Sequence, residues 1–461
     1  MGDSQKNSVT TGSIKAEVLR LGIPACTEEI LLSSERLAEA FWIGHLGHEY
    51  LAAMSIGSVT LLSLRAIGQG VRVAGQTLLA RYVGAGDWHG ASSVAGQILA
   101  ITVAYSLCIT SIGYIFSAAF MHLFSSDPKV IEQGTHYLHA GFIIFGLVDL
   151  NFALAHLVRG AGESGLALMG IAVATGIGIL GMPLLTIGAF GIESIGIVGV
   201  IYSLGVGRIA GSSFLIVCLA SGYSRLQISP SHLIPRPKII RAALHLSWPI
   251  SVQSLLERSA RVIILRIIAI LGTYPVAAYG VVQRIGQSLQ IPAFGIRAAL
   301  RTFVGQNLGA GMSVRARNAT TMSLKLVVAI IGTVASLLFV YAEYVAEAFG
   351  LESEGAAVFV TCLRILLPGL LLESCQQVFE GAFQGASRSL VPMLVAVIAG
   401  WGIRMPLAYV FSVVIGWGAP GIWWAIAASQ VIGSLSLAFW FMSTNTRVKF
   451  TVASPISFAD K

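Results

Sequence analysis

Leu21-Gly22-Ile23-Pro24 and Leu246-Ser247-Trp248-Pro249 set the register of the whole chain, because the 225 positions between the two prolines (249 − 24) recur at one landmark after another. In that register Leu46-Gly47 falls on Leu271-Gly272, Ala52-Ala53 on Ala277-Ala278, Arg72 on Arg297, and Gly84-Ala85-Gly86 on Gly309-Ala310-Gly311. It survives to the end of each half, where Arg159-Gly160-Ala161 meets Gln384-Gly385-Ala386 and Gly196-Ile197 meets Gly421-Ile422.

This duplication lies in a chain of 461 residues of which 55% are hydrophobic and 11% charged. Soluble domains carry about 25% charged residues, so the chain reads as an integral membrane protein. Charge-free runs such as Ile98–Met121 and Leu326–Ala342 approach or exceed the roughly 20 residues that cross a bilayer as helix. No segment alternates like a barrel strand, and the expected fold class is all-α. Spans are expected near 16–44, 52–79, 93–119, 135–158, 165–188, 194–221, 242–270, 277–304, 319–342, 357–383, 390–415 and 420–445. They make twelve transmembrane helices as two six-helix repeats around a central cavity. The expected division is a bundle over 1–222, a Pro-rich cytoplasmic linker over 223–241, a second bundle over 242–446 and a cytoplasmic tail over 447–461. Two similar membrane halves about a shared site are the organisation of secondary transporters.

With the N-terminus inside, the inner segments carry Lys6, Lys15, Arg20, Arg81, Arg159, Arg225, Arg236, Lys238, Arg241, Arg301, Arg315, Arg317, Arg388, Arg447, Lys449 and Lys461. The outer loops carry little beyond Lys129, while Glu343, Glu347, Glu352 and Glu354 gather there. This bias predicts a multi-pass protein of the cytoplasmic (inner) membrane with both termini cytoplasmic. It also accounts for much of the net charge of +8, which therefore does not imply nucleic acid as a partner. The first dozen residues are polar and lack the basic-then-apolar pattern of a signal peptide. Cys26, Cys108, Cys218, Cys362 and Cys375 are scattered through apolar spans without a Cys-x-x-Cys pair, and read as buried small hydrophobes rather than a metal or redox site.

An ionisable residue at membrane depth is costly and marks function by default. Several here share a helix face. The second span has Arg65, Gln69, Arg72 and Gln76, and its repeat partner, the eighth, has Gln283, Gln287, Gln290, Arg297 and Arg301. The tenth has Glu373, Gln376, Gln377, Glu380 and Gln384, the seventh Gln253, Glu257 and Arg261, and the first Glu28, Glu35 and Glu39. These stripes are expected to line a polar chamber between the halves. Spans three, five, nine and eleven, poorer in charge, are expected to face lipid or pack outside. A structural alternative is that Glu257 with Arg261, and Arg36 with Glu39, neutralise each other along one helix. Pro24 and Pro249 precede the acids at equivalent places, where paired kinks would let the first and seventh helices bend.

Phe41-Trp42-Ile43-Gly44-His45-Leu46-Gly47 with Leu51-Ala52-Ala53, Val83-Gly84-Ala85-Gly86-Asp87, Val304 to Gly311 and Val158-Arg159-Gly160-Ala161-Gly162 resemble motifs of the multidrug and toxic compound extrusion (MATE) family. The similarity covers roughly 15–445, and the acidic residues resemble those of the NorM-like branch most. The resemblance implies a cation-coupled (H⁺ or Na⁺) antiporter that exports small amphipathic molecules by alternating access. It assigns the coupling acids to Glu39, Glu257 and Glu373, with Na⁺, where it is the ion, at Glu257 and Glu373. Glu stands at 39 where the family pattern has Asp.

Substrate contacts are expected from Arg36, Arg65, Gln69, Arg72, Gln253, Arg261, Gln283, Gln287, Arg297, Gln376, Gln377 and Glu380. So many arginines admit an anionic or zwitterionic substrate beside organic cations, since guanidinium forks clamp carboxylates and phosphates. The alternative within the superfamily is a flippase for an anionic lipid-linked saccharide. An enzyme is not expected: His45-x-x-His48 lacks the Glu of a zinc-protease helix, and Gly68-x-Gly70 and Gly84-x-Gly86 follow no strand. The expected partners are a small molecule and the bilayer, with no cofactor, no metal beyond the coupling ion, and a monomeric state.

Overall fold

The computed structural model describes residues 8–188, 191, 193–351 and 353–443, all helix and connecting loop, with no strand among them. Lys6, Glu352, Arg447, Lys449, Lys461 and the tail over 447–461 lie outside the described residues. The first six spans are α1 (Ile14–Gly44), α2 (His48–Gly84), α3 (Trp88–His122), α4 (Pro128–Ile143 then Phe145–Gly160), α5 (Ser164–Thr186) and α6 (Ile197–Ala220). The second six are α7 (Pro237–Ile270), α8 (Thr273–Leu289 then Ile291–Gly309), α9 (Ser313–Val340), α10 (Ser353–Gly385), α11 (Leu390–Val414) and α12 (Ala419–Ser443). The twelve spans form two six-helix repeats in an all-α integral membrane protein. Among the described residues eight helices are long and apolar enough to cross a membrane on their own, and α4 makes a ninth as a pair bent by 46°. The charge-bearing α1, α7 and α8 are the spans that hydropathy alone would miss.

The outer surface is apolar, with side chains such as Ile115, Leu180, Ile270 and Phe439 exposed, a pattern that water would penalise and lipid does not. Of the five cysteines expected to be buried, Cys362 and Cys375 are, whereas Cys26 and Cys218 are half-buried and Cys108 is exposed on α3. Apolar residues of a membrane helix need no burial in protein, and the same holds for a thiol.

The repeat is visible in the backbone. Gly47 and Gly272 precede α2 and α8 with φ of 130° and 120°, and Gly86 and Gly311 turn the chain after those helices with φ of 80° and 76°. Side chains rarely adopt these values, which accounts for glycine at both copies. Gly162 (φ 94°) is matched by Ser387 (φ 60°), the one non-glycine residue with positive φ among those described. Close helix approaches repeat too. A Cβ on Gly160 would lie 2.8 Å from the Gln76 carbonyl, and one on Gly385 2.9 Å from that of Arg301.

The compact units are not the two repeats. One unit comprises Thr27–Ser251 and the other the residues up to Cys26 with those from Val252 onward. The start of α1 therefore packs with the second six helices, where a Cβ on Gly295 would lie 2.7 Å from the Gly22 carbonyl. The start of α7 packs with the first six, where a Cβ on Gly70 would lie 2.3 Å from the Ser247 carbonyl. Both exchanges occur two residues after a proline, Pro24 in α1 and Pro249 in α7, where the helix lacks one backbone hydrogen bond.

Candidate functional site

In the unit Thr27–Ser251 three buried acids form closed pairs with arginines. Glu28 of α1 is bonded to Arg159 of α4, and Glu35 to Arg208 of α6, with the Thr175 hydroxyl of α5 donating to Glu35 at 2.8 Å. Arg72 of α2 meets Asp149 of α4 at 2.7 Å, and the Tyr105 hydroxyl of α3 also donates to Asp149. The guanidinium groups of Arg72 and Arg208 lie over the Phe152 ring, 5.7 and 5.2 Å from its centre. Gly68 leaves room for this cluster, because a Cβ there would overlap the Tyr105 hydroxyl. Glu39 differs from the other acids: its partner is the Tyr137 hydroxyl of α4, at 2.6 Å. Arg65 lies over the Phe145 ring at 5.8 Å. Gln76 is fully buried, 3.0 Å from His156, and Gln69 is half-buried.

In the other unit the carboxylates are held mostly by amides. Gln253 donates to Glu257 at 2.9 Å and to Glu380 at 3.1 Å. Gln376 reaches Glu380 at 3.2 Å, as does Arg297. Glu373 accepts from Gln430 of α12 at 2.7 Å. The break in α8 falls at Gln290, just before Pro292, and presents Gln290 to the Gln377 amide at 2.9 Å. Gln283 is half-buried and bonds the Tyr279 hydroxyl, while Gln287 and Arg261 are exposed. Arg301, expected in an inner loop as well as a stripe, is buried and donates to Gln384 at 2.7 Å.

Two expected pairs are corrected. Arg36 is exposed and reaches Glu29 at 3.4 Å and Ser33 at 2.9 Å, not Glu39. Glu257 takes an amide from Gln253, and no ion pair joins it to Arg261 among the described residues. Arg159, read as a loop charge, is buried at the end of α4. Arg72 and Arg297, expected to meet substrate, each meet a carboxylate.

The MatE family profile matches residues 24–184 and again 249–410, two segments offset by the 225 positions (249 − 24) of the internal repeat. The chain belongs to the MatE family. A probable multidrug resistance protein, YoeA, of Bacillus subtilis is 25% identical over 94% of this chain and 96% of its own length. A probable multidrug resistance protein, NorM, of Deinococcus radiodurans is 26% identical over the same shares. A crystal structure of a MATE protein in the bent conformation superimposes with a TM-score of 0.89 at 20% identity, covering 95% of this chain and 97% of the other. Another, from Pyrococcus furiosus, described as a transporter of the MOP superfamily with a reversed polarity of its binding pocket, gives 0.86 at 21% over the same shares.

Members of the MatE family are membrane transporters, not enzymes, and this MatE chain is a multi-pass membrane protein that handles a small molecule. Within each unit the stripes meet neighbouring helices, α1 and α2 with α4, and α7 and α8 with α10. Sequence reasoning missed Tyr105, Tyr137, Asp149, Thr175, Arg208, Arg404 and Gln430. Asp149, Arg208 and Arg404 are each isolated ionisable residues in otherwise apolar stretches of helix, a signal that a search for stripes passes over. The expectation that spans three, five and eleven only pack outside is corrected by Tyr105, Thr175 and Arg404.

Proposed function

We propose that this chain is a cation-coupled antiporter, driven by H⁺ or Na⁺, that exports small amphipathic organic molecules across the cytoplasmic membrane by alternating access. In this reading it works as a monomer without a cofactor, with both termini cytoplasmic as the basic inner segments favour. The names of its relatives as multidrug resistance proteins support export. One observation carries the coupling role. Among the intramembrane acids Glu28, Glu35, Glu39, Asp149, Glu257, Glu373 and Glu380, the three without an arginine in ion-pair contact are Glu39, Glu257 and Glu373.

An acid already tied to a guanidinium has little reason to take up a second cation. One held by a single hydroxyl or amide keeps lone pairs for H⁺, Na⁺ or a basic substrate, and binds them one at a time. That exclusivity is what antiport requires. Movement of the two units would be absorbed at Pro24 and Pro249, where both crossing helices lack a backbone bond.

The test is gradient-driven export of ethidium in proteoliposomes, with imposed H⁺ or Na⁺ gradients, comparing Glu257→Gln and Glu373→Gln with the parent. Each replacement keeps shape and hydrogen bonding but removes charge. Export is expected to fall about tenfold or more in each, with thermal stability unchanged. Undiminished export in both variants would refute coupling at these acids and leave Glu39.

A further inference from the structure

α11 contains a single charged residue, Arg404, well inside the span. It closes a π-helical stretch, Ile398–Arg404, a geometry that recurs at functional sites in helices. Its Nε donates to the Ser429 hydroxyl of α12 at 2.8 Å. Among the described residues that is the only hydrogen bond its side chain makes, and no carboxylate of theirs lies within ion-pair reach. Both terminal amino groups are therefore open. The acid of the neighbouring α10, Glu373, is occupied by Gln430, the residue after Ser429.

α7 meets α11 close by, where the Trp401 indole N–H donates to the Leu256 carbonyl at 3.2 Å, and carries a second guanidinium five residues further on. Arg261 of α7 is exposed and likewise has no carboxylate partner among the described residues. Tyr279 of α8 is buried in one apolar cluster with Ile264 and Ile268 of α7, and its hydroxyl bonds Gln283. The repeat offers a control. Arg36, the equivalent of Arg261, is matched by Glu29, and the equivalent of Arg404 is Ile179. In the other unit Arg65, over the Phe145 ring, also has no carboxylate in ion-pair contact among the described residues, but it stands alone there; at membrane depth such cations are costly unless an anion visits them.

We propose that Arg404 and Arg261 form a subsite for the anionic group, a carboxylate or phosphate, of an amphipathic organic anion or zwitterion. Ser429 holds the Arg404 fork by one edge and leaves the edge bearing two N–H groups to clamp the oxyanion. Tyr279 and Gln283 supply neutral hydrogen-bonding groups beside it. The subsite names the substrate class of the exporter described above and rests on that reading for its use, but binding is measurable without transport.

Anisotropy of carboxyfluorescein, a carboxylate dye, and of ethidium, a cation, is titrated with the full chain in nanodiscs. Carboxyfluorescein is expected to bind the parent protein. Arg404→Gln should weaken it about tenfold, Arg261→Gln less, and Arg404→Lys should retain part of the affinity. Ethidium binding should be the same in all three. Ser429→Ala, which removes only the hydroxyl, should change carboxyfluorescein affinity by about twofold. Absence of carboxyfluorescein binding, equal loss of both dyes, or a Ser429→Ala loss as large as that of Arg404→Gln would overturn the subsite, the last marking Arg404 as structural. Should Arg404→Gln fail to fold, Arg404→Lys and Arg261→Gln decide by the same criteria. Ethidium export that persists without carboxyfluorescein binding would strike the subsite and leave antiport standing.

Discussion

Glu28, Glu35 and Asp149 in the unit Thr27–Ser251 each hold an arginine, whereas Glu257 and Glu373 in the other unit hold only glutamine amides. These acids are not repeat equivalents, since Glu257 aligns with Leu32 and Glu373 with Val148; the chemistry of matching positions has been rewritten. Glu28 becomes Gln253, Asp149 becomes Ser374 and Arg208 becomes Gly433, while Gln76 with Arg159 becomes Arg301 with Gln384. The glycine turns and close helix approaches are kept through this exchange. The bundle is thus set by backbone fit, which leaves the polar residues free to specialise. In one unit three buried acids are tied to arginines, with Glu39 and Arg65 outside those pairs; in the other only Glu380 of the corresponding acids holds an arginine.

The sharpest way to break that comparison is to remove the polar group from each side of an equivalent pair. Asp149→Ala leaves Arg72 buried beside no carboxylate and the Tyr105 hydroxyl without its acceptor. Removing one partner of a buried ion pair costs about 3–5 kcal/mol. At the equivalent position Ser374 bonds only the Leu370 carbonyl of its own helix, at 2.8 Å, and Ser374→Ala should cost under about 1 kcal/mol. Thermal unfolding in detergent measures both. Equal losses would mean that the pairs of the first unit are no more structural than the amides of the second.

What the sequence disclosed of this contrast follows from periodicity. The repeat, the twelve spans and the acids Glu39, Glu257 and Glu373 all leave a pattern along one helix or between matching helices. Tyr137 beneath Glu39, and Gln430 beside Glu373, leave none, because each partner lies on a different helix and only the packed bundle brings it near. The pairing of Glu28 with Arg159 was hidden for a further reason: Arg159 ends its helix and resembles a loop charge. The exchange of helix starts between units was also illegible, since α1 and α7 are continuous in hydropathy through Pro24 and Pro249.

Two glycines sharpen the comparison at intermediate cost. A Cβ on Gly68 would overlap the Tyr105 hydroxyl and lie 2.9 Å from Arg72 Nη1, both inside the closed cluster. Its repeat equivalent is already Ala293, where no such cluster exists. A Cβ on Gly369 would instead displace the Gln430 side-chain oxygen, the end of a flexible chain. Gly68→Ala is expected to destabilise the protein by about 1–3 kcal/mol. Gly369→Ala should cost less than about 1 kcal/mol, yet alter ion dependence of transport by freeing Glu373. A Gly369→Ala variant with parental ion dependence would show that the Gln430 bond does not tune that acid.

The smallest expected effect concerns the segments that lead into α1 and α7. Equivalent carbonyls are gripped in both: Ile234 O by Gln97 Nε2 at 2.7 Å, and Val9 O by Asn307 Nδ2 and Arg315 Nη2, each at 3.3 Å. The first grip includes a histidine. His232 Nδ1 accepts from the Ser229 backbone N–H at 3.2 Å, and its ring lies 5.4 Å from that of His89. Burial, and then the charges of His89 and Arg236, hold the His232 pKa below the ordinary histidine value. The unfolded ring therefore takes a proton at higher pH than the folded one, so this grip is strongest above about pH 6.5 and weakens as pH falls through the lowered value. Protonation at Nδ1 would also remove the acceptor of the Ser229 bond. Hydrogen exchange over 229–236 should accelerate between pH 7.5 and pH 5, after correction for intrinsic rates, while exchange over 8–12 should not. His232→Gln should abolish the difference. Parallel behaviour of the two segments would show that the histidine does not distinguish them.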